Sequence, residues 1–297
     1  MGIDLNALAA QLADQLATAP YATREGEGTA QQRVPEESVL APAAVEPPRG
    51  VRFCAEHARV GDYVDHTLLR PDATRAEIER LCAEALEHRF AAVCVNPAWV
   101  PACAQLLAGG EVQLATVVGF PLGATASAIK AAEAALAVRE GAQELDMVVA
   151  LGALRAGAWG EVERDIAAVV EAAEGALVKV ILESAVLAPL EIVRACHAAR
   201  DAGADYVKTS TGFHAAGGAT AAAVALMRMA VGDTMGVKAS GGVRDGATAL
   251  AMFAAGATRI GTSAGVAMAD DRGPGPRPIG ALLGGVAASA AAVQPVY

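Results

Sequence analysis

Several things are scarce in this chain of 297 residues, and each scarcity excludes something. Aromatic residues make up only 4%, so the core has to be assembled from Val, Leu, Ile and Ala. The five cysteines (Cys54, Cys82, Cys94, Cys103 and Cys196) are odd in number and irregularly spaced, and no CxxC occurs. That pattern argues against a disulfide framework or a structural zinc site. No His and carboxylate residues share metal-ligand spacing, so neither a metal nor another cofactor is expected. Positive charge is in deficit. A formal net charge of −10 argues against nucleic acid, which normally meets a basic face. No strongly apolar run reaches transmembrane length; the Ala/Gly-rich stretch 281–293 is too short and too weakly hydrophobic. The N-terminus carries Asp4 and no basic residue before Arg24, which does not read as a secretory signal. The expectation is a soluble cytoplasmic protein, with no membrane partner. A small anionic substrate stays compatible with the acidic balance, because a few cations in one cleft suffice.

The chain divides by composition. Leu5, Leu8, Leu12 and Leu16 stand near helical spacing, and residues 19–50 then carry Pro, Glu, Gly and Ala with few large apolar groups. Residues 1–50 therefore read as a flexible extension with a short helix. Residues 271–279 break structure again, leaving 271–297 as a tail and 51–270 as the folded domain. Within it, β-branched runs recur at 63–66, 92–95, 114–118, 144–149, 177–183, 205–209, 236–240 and 258–261. Helical stretches fill the gaps at 72–89, 125–140, 161–174, 189–202, 219–230 and 245–255. Several end where Gly141, Gly203 or Gly256 can take the left-handed cap. Eight strands alternating with helices predict an α/β protein of the (β/α)₈ TIM-barrel type. An open doubly wound sheet is the competitor, weakened because no GxGxxG follows the first strand.

Lysine is the scarcest charge. Against 19 arginines there are four lysines: Lys130, Lys179, Lys208 and Lys238. Lys130 lies in the helical TASAIKAAEAAL and reads as a solvated surface residue. The other three sit in apolar strand patterns: LVKVILE, DYVKTSTG and GVKASGG. Charge in such a pattern is rare unless paired. Lysine loses its proton within reach of neutral pH and arginine does not, so the choice of lysine there points to amine chemistry. Neighbouring strands bring Lys208 and Lys238 close. Two ammonium groups roughly 5 Å apart, at an effective dielectric of about 20, repel by about 3 kcal/mol. That enriches the neutral amine roughly a hundredfold, and burial adds to it. One lysine is then the nucleophile and the other the cation that activates it. Lys179 is open to a plainer reading, since Glu183 on the same strand is available to pair with a neighbouring cation.

Asp146 in ELDMVVA shares a strand face with Glu144 and Val148, and needs a cation or a proton-transfer role. Asp65 in YVDHTLL, two residues before Thr67, reads equally as a structural partner for a lysine. His66 beside it reads as a hydrogen-bonded core histidine. Cys94, in the second strand, reads as inert packing; if it faces the cavity it is open to alkylation by unsaturated aldehydes. Three Gly/Ser turns follow the late strands, offering Gly212, then Gly241 and Gly242, then Ser263. Such turns present backbone N–H groups to an anion, and the loops after strands seven and eight commonly hold phosphate in these barrels.

At this point the chain resembles the deoxyribose-phosphate aldolase family. The matching segments are DHTLLRPDAT, AAVCVNPAWV, VVGFPLGA, ELDMVV, KVILE, ADYVKTSTGF and VKASGGVRD, in the family's order over most of 60–265. The resemblance implies reversible cleavage of 2-deoxy-D-ribose 5-phosphate to glyceraldehyde 3-phosphate and acetaldehyde, in deoxynucleoside catabolism. It implies Lys208 as the Schiff-base lysine, Lys238 as the second lysine and Asp146 as the group handling protons. Phosphate would fall on Gly212, Gly241, Gly242 and Ser263, with Asp65, Thr67, Lys179 and Cys94 in support. Some members carry lysine after the TSTG glycine; here Phe213 stands there, so any further phosphate cation comes from elsewhere. A homodimer is compatible with the sequence, which does not fix the assembly. The rivals are a Schiff-base aldolase or transaldolase with another donor, and a non-catalytic sugar-phosphate-binding barrel that would need no amine pair.

Overall fold

Apolar strands that are buried on both faces need helices on the outside and side chains to fill the inside, and a closed barrel provides both. The structure is a computed structural model and describes residues 59–270. The expectations for residues 1–50 and 271–297 lie outside the described residues. The strands are β1 (Val64–Leu68), β2 (Ala92–Val95), β3 (Gln113–Val118), β4 (Glu144–Val148), β5 (Leu177–Ile181), β6 (Tyr206–Lys208), β7 (Gly236–Ser240) and β8 (Arg259–Thr262). Each pairs in parallel with the next, and β8 pairs with β1 through Asp65↔Gly261. The predicted (β/α)₈ barrel is the observed fold, with strand ends within a few residues of those read from sequence.

The helices are α1 (Arg75–His88), α2 (Val100–Leu106), α3 (Ser127–Arg139), α4 (Leu151–Arg155), α5 (Trp159–Ala172), α6 (Pro189–Asp201), α7 (Ala221–Val231), α8 (Gly246–Ala254) and α9 (Gly265–Asp270). Their starts follow from capping chemistry. The Thr74 N–H donates to Glu77 Oε2 at 2.8 Å before α1, and Asp245 Oδ1 accepts from the Thr248 N–H at 2.7 Å in α8. Gly141, Gly203 and Gly256 end α3, α6 and α8 at φ of 114°, 85° and 105°, as the turn signals require. Short α2, α4 and α9 were not read from the sequence, because five to seven residues carry too little periodicity to register. Among the described residues no helix is long and apolar enough to cross a membrane.

Lys130 corrects the sequence reading. It is fully buried, not a solvated surface residue. Its ammonium donates to Asp165 Oδ2 of α5 at 2.6 Å and to the Val148 carbonyl at 2.9 Å. Ser127 Oγ donates to the other Asp165 oxygen at 2.6 Å. The cause is the alanine content of α3: Ala134 and Ala137 are buried, so α3 packs close against its neighbours and covers the lysine stem. Removing one partner of such a pair leaves an uncompensated buried charge. Lys130→Met is therefore expected to lower the stability of the barrel by about 3–5 kcal/mol in urea unfolding. A loss under about 1 kcal/mol would show that the pair is replaceable.

Candidate active site

Strand side chains alternate between the helices and the barrel interior. The inward positions of six strands here carry charge where a plain core would carry Val or Leu. Asp146 of β4 is the hub. Its Oδ1 accepts from Lys179 Nζ at 2.8 Å. Its Oδ2 accepts from both Lys208 Nζ and Lys238 Nζ, each at 2.6 Å. The two amines therefore stand no farther apart than twice that distance, as the pairing of β6 with β7 through Lys208↔Lys238 requires. Lys179 also meets Glu144 Oε2 at 2.6 Å. Lys238 also donates to Asp65. Arg259 of β8 spans the two remaining acids, reaching Asp65 Oδ1 at 2.7 Å and Glu144 Oε1 at 3.0 Å. Gly261 makes room for this: a Cβ there would stand 2.9 Å from Lys238 Cε.

The cluster holds three carboxylates (Asp65, Glu144 and Asp146) and four basic side chains (Lys179, Lys208, Lys238 and Arg259), all buried. Fully ionised, it carries one surplus positive charge in a low-dielectric interior. Arginine does not give up its proton, so relief comes from a lysine. Burial works against the Asp146 carboxylate, but Lys179, Lys208 and Lys238 outweigh it and hold its pKa well below the usual carboxylate range. Burial likewise opposes the Asp65 carboxylate, and Arg259, Lys238 and Lys179 bring its pKa down. The lysines separate. Burial pulls Lys179 and Lys238 down, yet each is raised on balance, Lys179 by Asp146, Glu144 and Asp65, Lys238 by Asp146 and Asp65. Lys208 goes the other way. Burial lowers it, Asp146 resists, Lys238 lowers it further, and the balance is downward. Lys208 is the group whose loss of a proton brings the cluster to three acids and three cations.

Above the charges lies a cavity of about 360 Å³, lined by Lys208, Gly212, Gly241, Gly242 and Ser263 among others. Of the strand lysines it is Lys208 that lines it; Lys179 and Lys238 are sealed beneath at 0% exposure. Gly212, Gly241 and Gly242 have φ of 82°, 83° and 83°, the left-handed region that glycine adopts without strain. The N–H groups of Gly212, Gly241, Gly242 and Ser263 donate to nothing among the described residues. Free N–H groups that line one cavity can form an anion cradle. Phe213 packs edge-on against Phe120, with ring centroids 5.2 Å apart, so it walls the cavity and supplies no charge. Two arginines line the cavity instead, Arg70 and Arg244. Arg70 is already paired with Asp72 and Glu77.

The remaining sequence candidates fall into place around this cluster. Thr67 lines the cavity, its hydroxyl donating to the Asp65 carbonyl at 2.8 Å. Cys94 is buried beside Leu69, Ala115 and Val117, and burial pushes its thiol up to about 11. A thiol so held is protonated at neutral pH and a poor nucleophile. His66 faces away from the charges, with Nε2 2.7 Å from Glu84 Oε2, as a hydrogen-bonded core histidine. Among the described residues Glu183 pairs with no cation. Its carboxylate accepts instead from the Thr211 hydroxyl at 2.5 Å, because β5 ends before it and turns it toward the loop after β6. Sequence reasoning missed Arg259. The signal was there in ATRIGT, a charge within a strand pattern, but it was hidden among 19 arginines.

Comparison with known proteins agrees with this geometry. The model of the DeoC/LacD family aldolases matches residues 60–284. A deoxyribose-phosphate aldolase of Lysinibacillus sphaericus is 57% identical over 206 residues, 69% of this chain and 92% of that one. One from Brevibacillus brevis is 58% identical over 206 residues, covering 69% and 93%. Among solved structures, a putative deoxyribose-phosphate aldolase from Coccidioides immitis superposes with a TM-score of 0.71 at 36% identity, over 91% of this chain and 98% of that one. The deoxyribose phosphate aldolase from Aeropyrum pernix, described as a tetramer, gives 0.67 at 35% identity, covering 71% and 90%. With its closed barrel and its buried lysines, the chain belongs to the deoxyribose-phosphate aldolase family within the DeoC/LacD aldolases, and is a carbon–carbon lyase.

Proposed function

We propose that the enzyme cleaves 2-deoxy-D-ribose 5-phosphate reversibly to D-glyceraldehyde 3-phosphate and acetaldehyde, through a Schiff base on Lys208. The observation that carries this reading is the position of Lys208: it is the strand lysine that lines the cavity, and its pKa is the one pressed down. The neutral amine adds to the C1 aldehyde of the open-chain sugar, and loss of water leaves an iminium. The C3 hydroxyl gives up its proton, the C2–C3 bond breaks, and its electron pair moves into the iminium to form an enamine. Glyceraldehyde 3-phosphate departs. Protonation of the enamine at C2 and hydrolysis then release acetaldehyde and the free lysine. Asp146, whose Oδ2 accepts from both Lys208 and Lys238, takes the C3 hydroxyl proton through water and returns it to C2 of the enamine. Lys238 stays charged and keeps Lys208 neutral. The cradle of Gly212, Gly241, Gly242 and Ser263 takes the phosphate, with Arg244 as the nearby cation. Four free cysteines among the described residues fit a reducing cytoplasm.

Borohydride in the presence of acetaldehyde is expected to fix a mass gain on the peptide bearing Lys208 and on no other. Lys208→Ala and Lys208→Arg should both abolish trapping and turnover, since arginine supplies no neutral amine. Trapping at Lys179 or Lys238 would overturn the assignment. Product analysis with acetaldehyde as donor separates this reading from an aldolase or transaldolase using another donor.

Lys238→Leu keeps the nucleophile and removes the adjacent cation. The Lys238 charge lowers the Lys208 pKa, so its removal lets that pKa rise. Less neutral amine is then present at a given pH, and the rising limb of the kcat/KM profile should move to higher pH. An unmoved limb at reduced amplitude would show that Lys238 acts by another route.

A further inference from the structure

Glu183 is a buried acid that the chemistry above leaves unused. It follows β5, is 3% exposed, and has no cation paired with it among the described residues. Its backbone stands at φ 56°, ψ 53°, the left-handed region that a non-glycine residue enters only when its surroundings hold it there. What it gains is one partner. Glu183 Oε2 accepts from Thr211 Oγ1 at 2.5 Å, and its two oxygens lie 3.4 and 3.3 Å from the Thr211 N–H.

Thr211 immediately precedes Gly212 and lines the cavity. A carboxylate only accepts, so the Thr211 hydroxyl proton has to point at Glu183. The lone pairs of that hydroxyl are then free for the Phe213 N–H, which donates to it at 3.1 Å. The residues on both sides of Gly212 are thus fastened to one hydroxyl, and that hydroxyl is oriented by Glu183. From β7 the same loop is held lower down, where Ser240 Oγ donates to the Ser210 carbonyl at 2.7 Å and Thr209 Oγ1 to the Ser240 carbonyl at 3.0 Å. Glu183 holds it from β5, at the residue where the cradle begins.

We propose that Glu183 is a positioning residue for phosphate recognition: through Thr211 it fixes the turn in which the Gly212 N–H meets the anion. This rests on the reading that the substrate's phosphate occupies the cradle of Gly212, Gly241, Gly242 and Ser263. A carboxylate close to an anion site repels the anion, so electrostatics alone would disfavour it there. Its use is explained by geometry. With no N–H of its own, it leaves the Thr211 hydroxyl a single orientation.

The test compares 2-deoxyribose 5-phosphate with unphosphorylated 2-deoxyribose, reading kcat and KM for each. In Glu183→Ala, KM for the phosphorylated sugar is expected to rise roughly tenfold, and the ratio of kcat/KM between the two sugars to fall by roughly the same factor. Glu183→Gln keeps one acceptor and should fall between, with the ratio down roughly threefold. Borohydride trapping of acetaldehyde on Lys208 involves no phosphate and checks that the Ala variant is folded. If it is not, Glu183→Gln decides alone, and a ratio unchanged from that of the unmodified enzyme overturns the proposal. Equal losses on both sugars would also overturn it, because they would show a general structural role. Inorganic phosphate should inhibit the unmodified enzyme competitively. Absence of both that inhibition and a preference for the phosphorylated sugar would sink the phosphate reading itself, and this proposal with it, before any variant is made.

Discussion

One carboxylate oxygen, Asp146 Oδ2, accepts hydrogen bonds from two lysines at 2.6 Å each, and the chemistry proposed for the barrel rests on that arrangement. Two amines on one oxygen cannot both keep their protons as easily as either alone. Which of them yields is decided by what else they touch. Lys238 has a second carboxylate in Asp65, and Lys179 has Glu144 in addition to Asp146. Among the described residues Lys208 has Asp146 alone, and a cavity above it. The asymmetry is therefore one of partners. The lysine with fewest acids is the one whose pKa falls.

Such a cluster is tolerable inside a barrel only because it is fully paired. An isolated ion in a dry interior costs several kcal/mol even after relaxation, and removing a single partner exposes that cost. Arg259 matters for this reason, although it does not line the cavity. Its guanidinium bridges Asp65 and Glu144, so both acids stay ionised and hold Lys238 and Lys179 charged. The same logic, in a purely structural role, appears at Lys130 and Asp165 between α3 and α5. All four lysines of this chain are buried and ion-paired, while its surface cations are arginines.

What the sequence made legible was charge in the wrong place. Asp146, Lys208 and Lys238 stood out because strand alternation puts them inward among Val, Ile and Met, and barrel closure then brings β4, β6 and β7 to a common centre. Lys130 misled because a helix of alanines hides which face is covered: buried and exposed alanines look alike in sequence, and only the packing of α3 against α5 distinguishes them. Arg259 was lost in the number of arginines. Glu183 could not be placed either, because its partner depends on where β5 ends, and a left-handed residue at that point is a tertiary outcome with no local signal.

The central claim is that Lys208 is the lysine most easily made neutral. With four lysines in the chain, enzyme carrying isotope-labelled lysine gives four side-chain signals, and each can be followed through a pH titration by NMR. Lys208 is expected to lose its proton below the ordinary lysine value of about 10.5, while Lys179 and Lys238 remain charged beyond it. A titration in which Lys238 or Lys179 deprotonates first, with Lys208 still charged, would contradict the account.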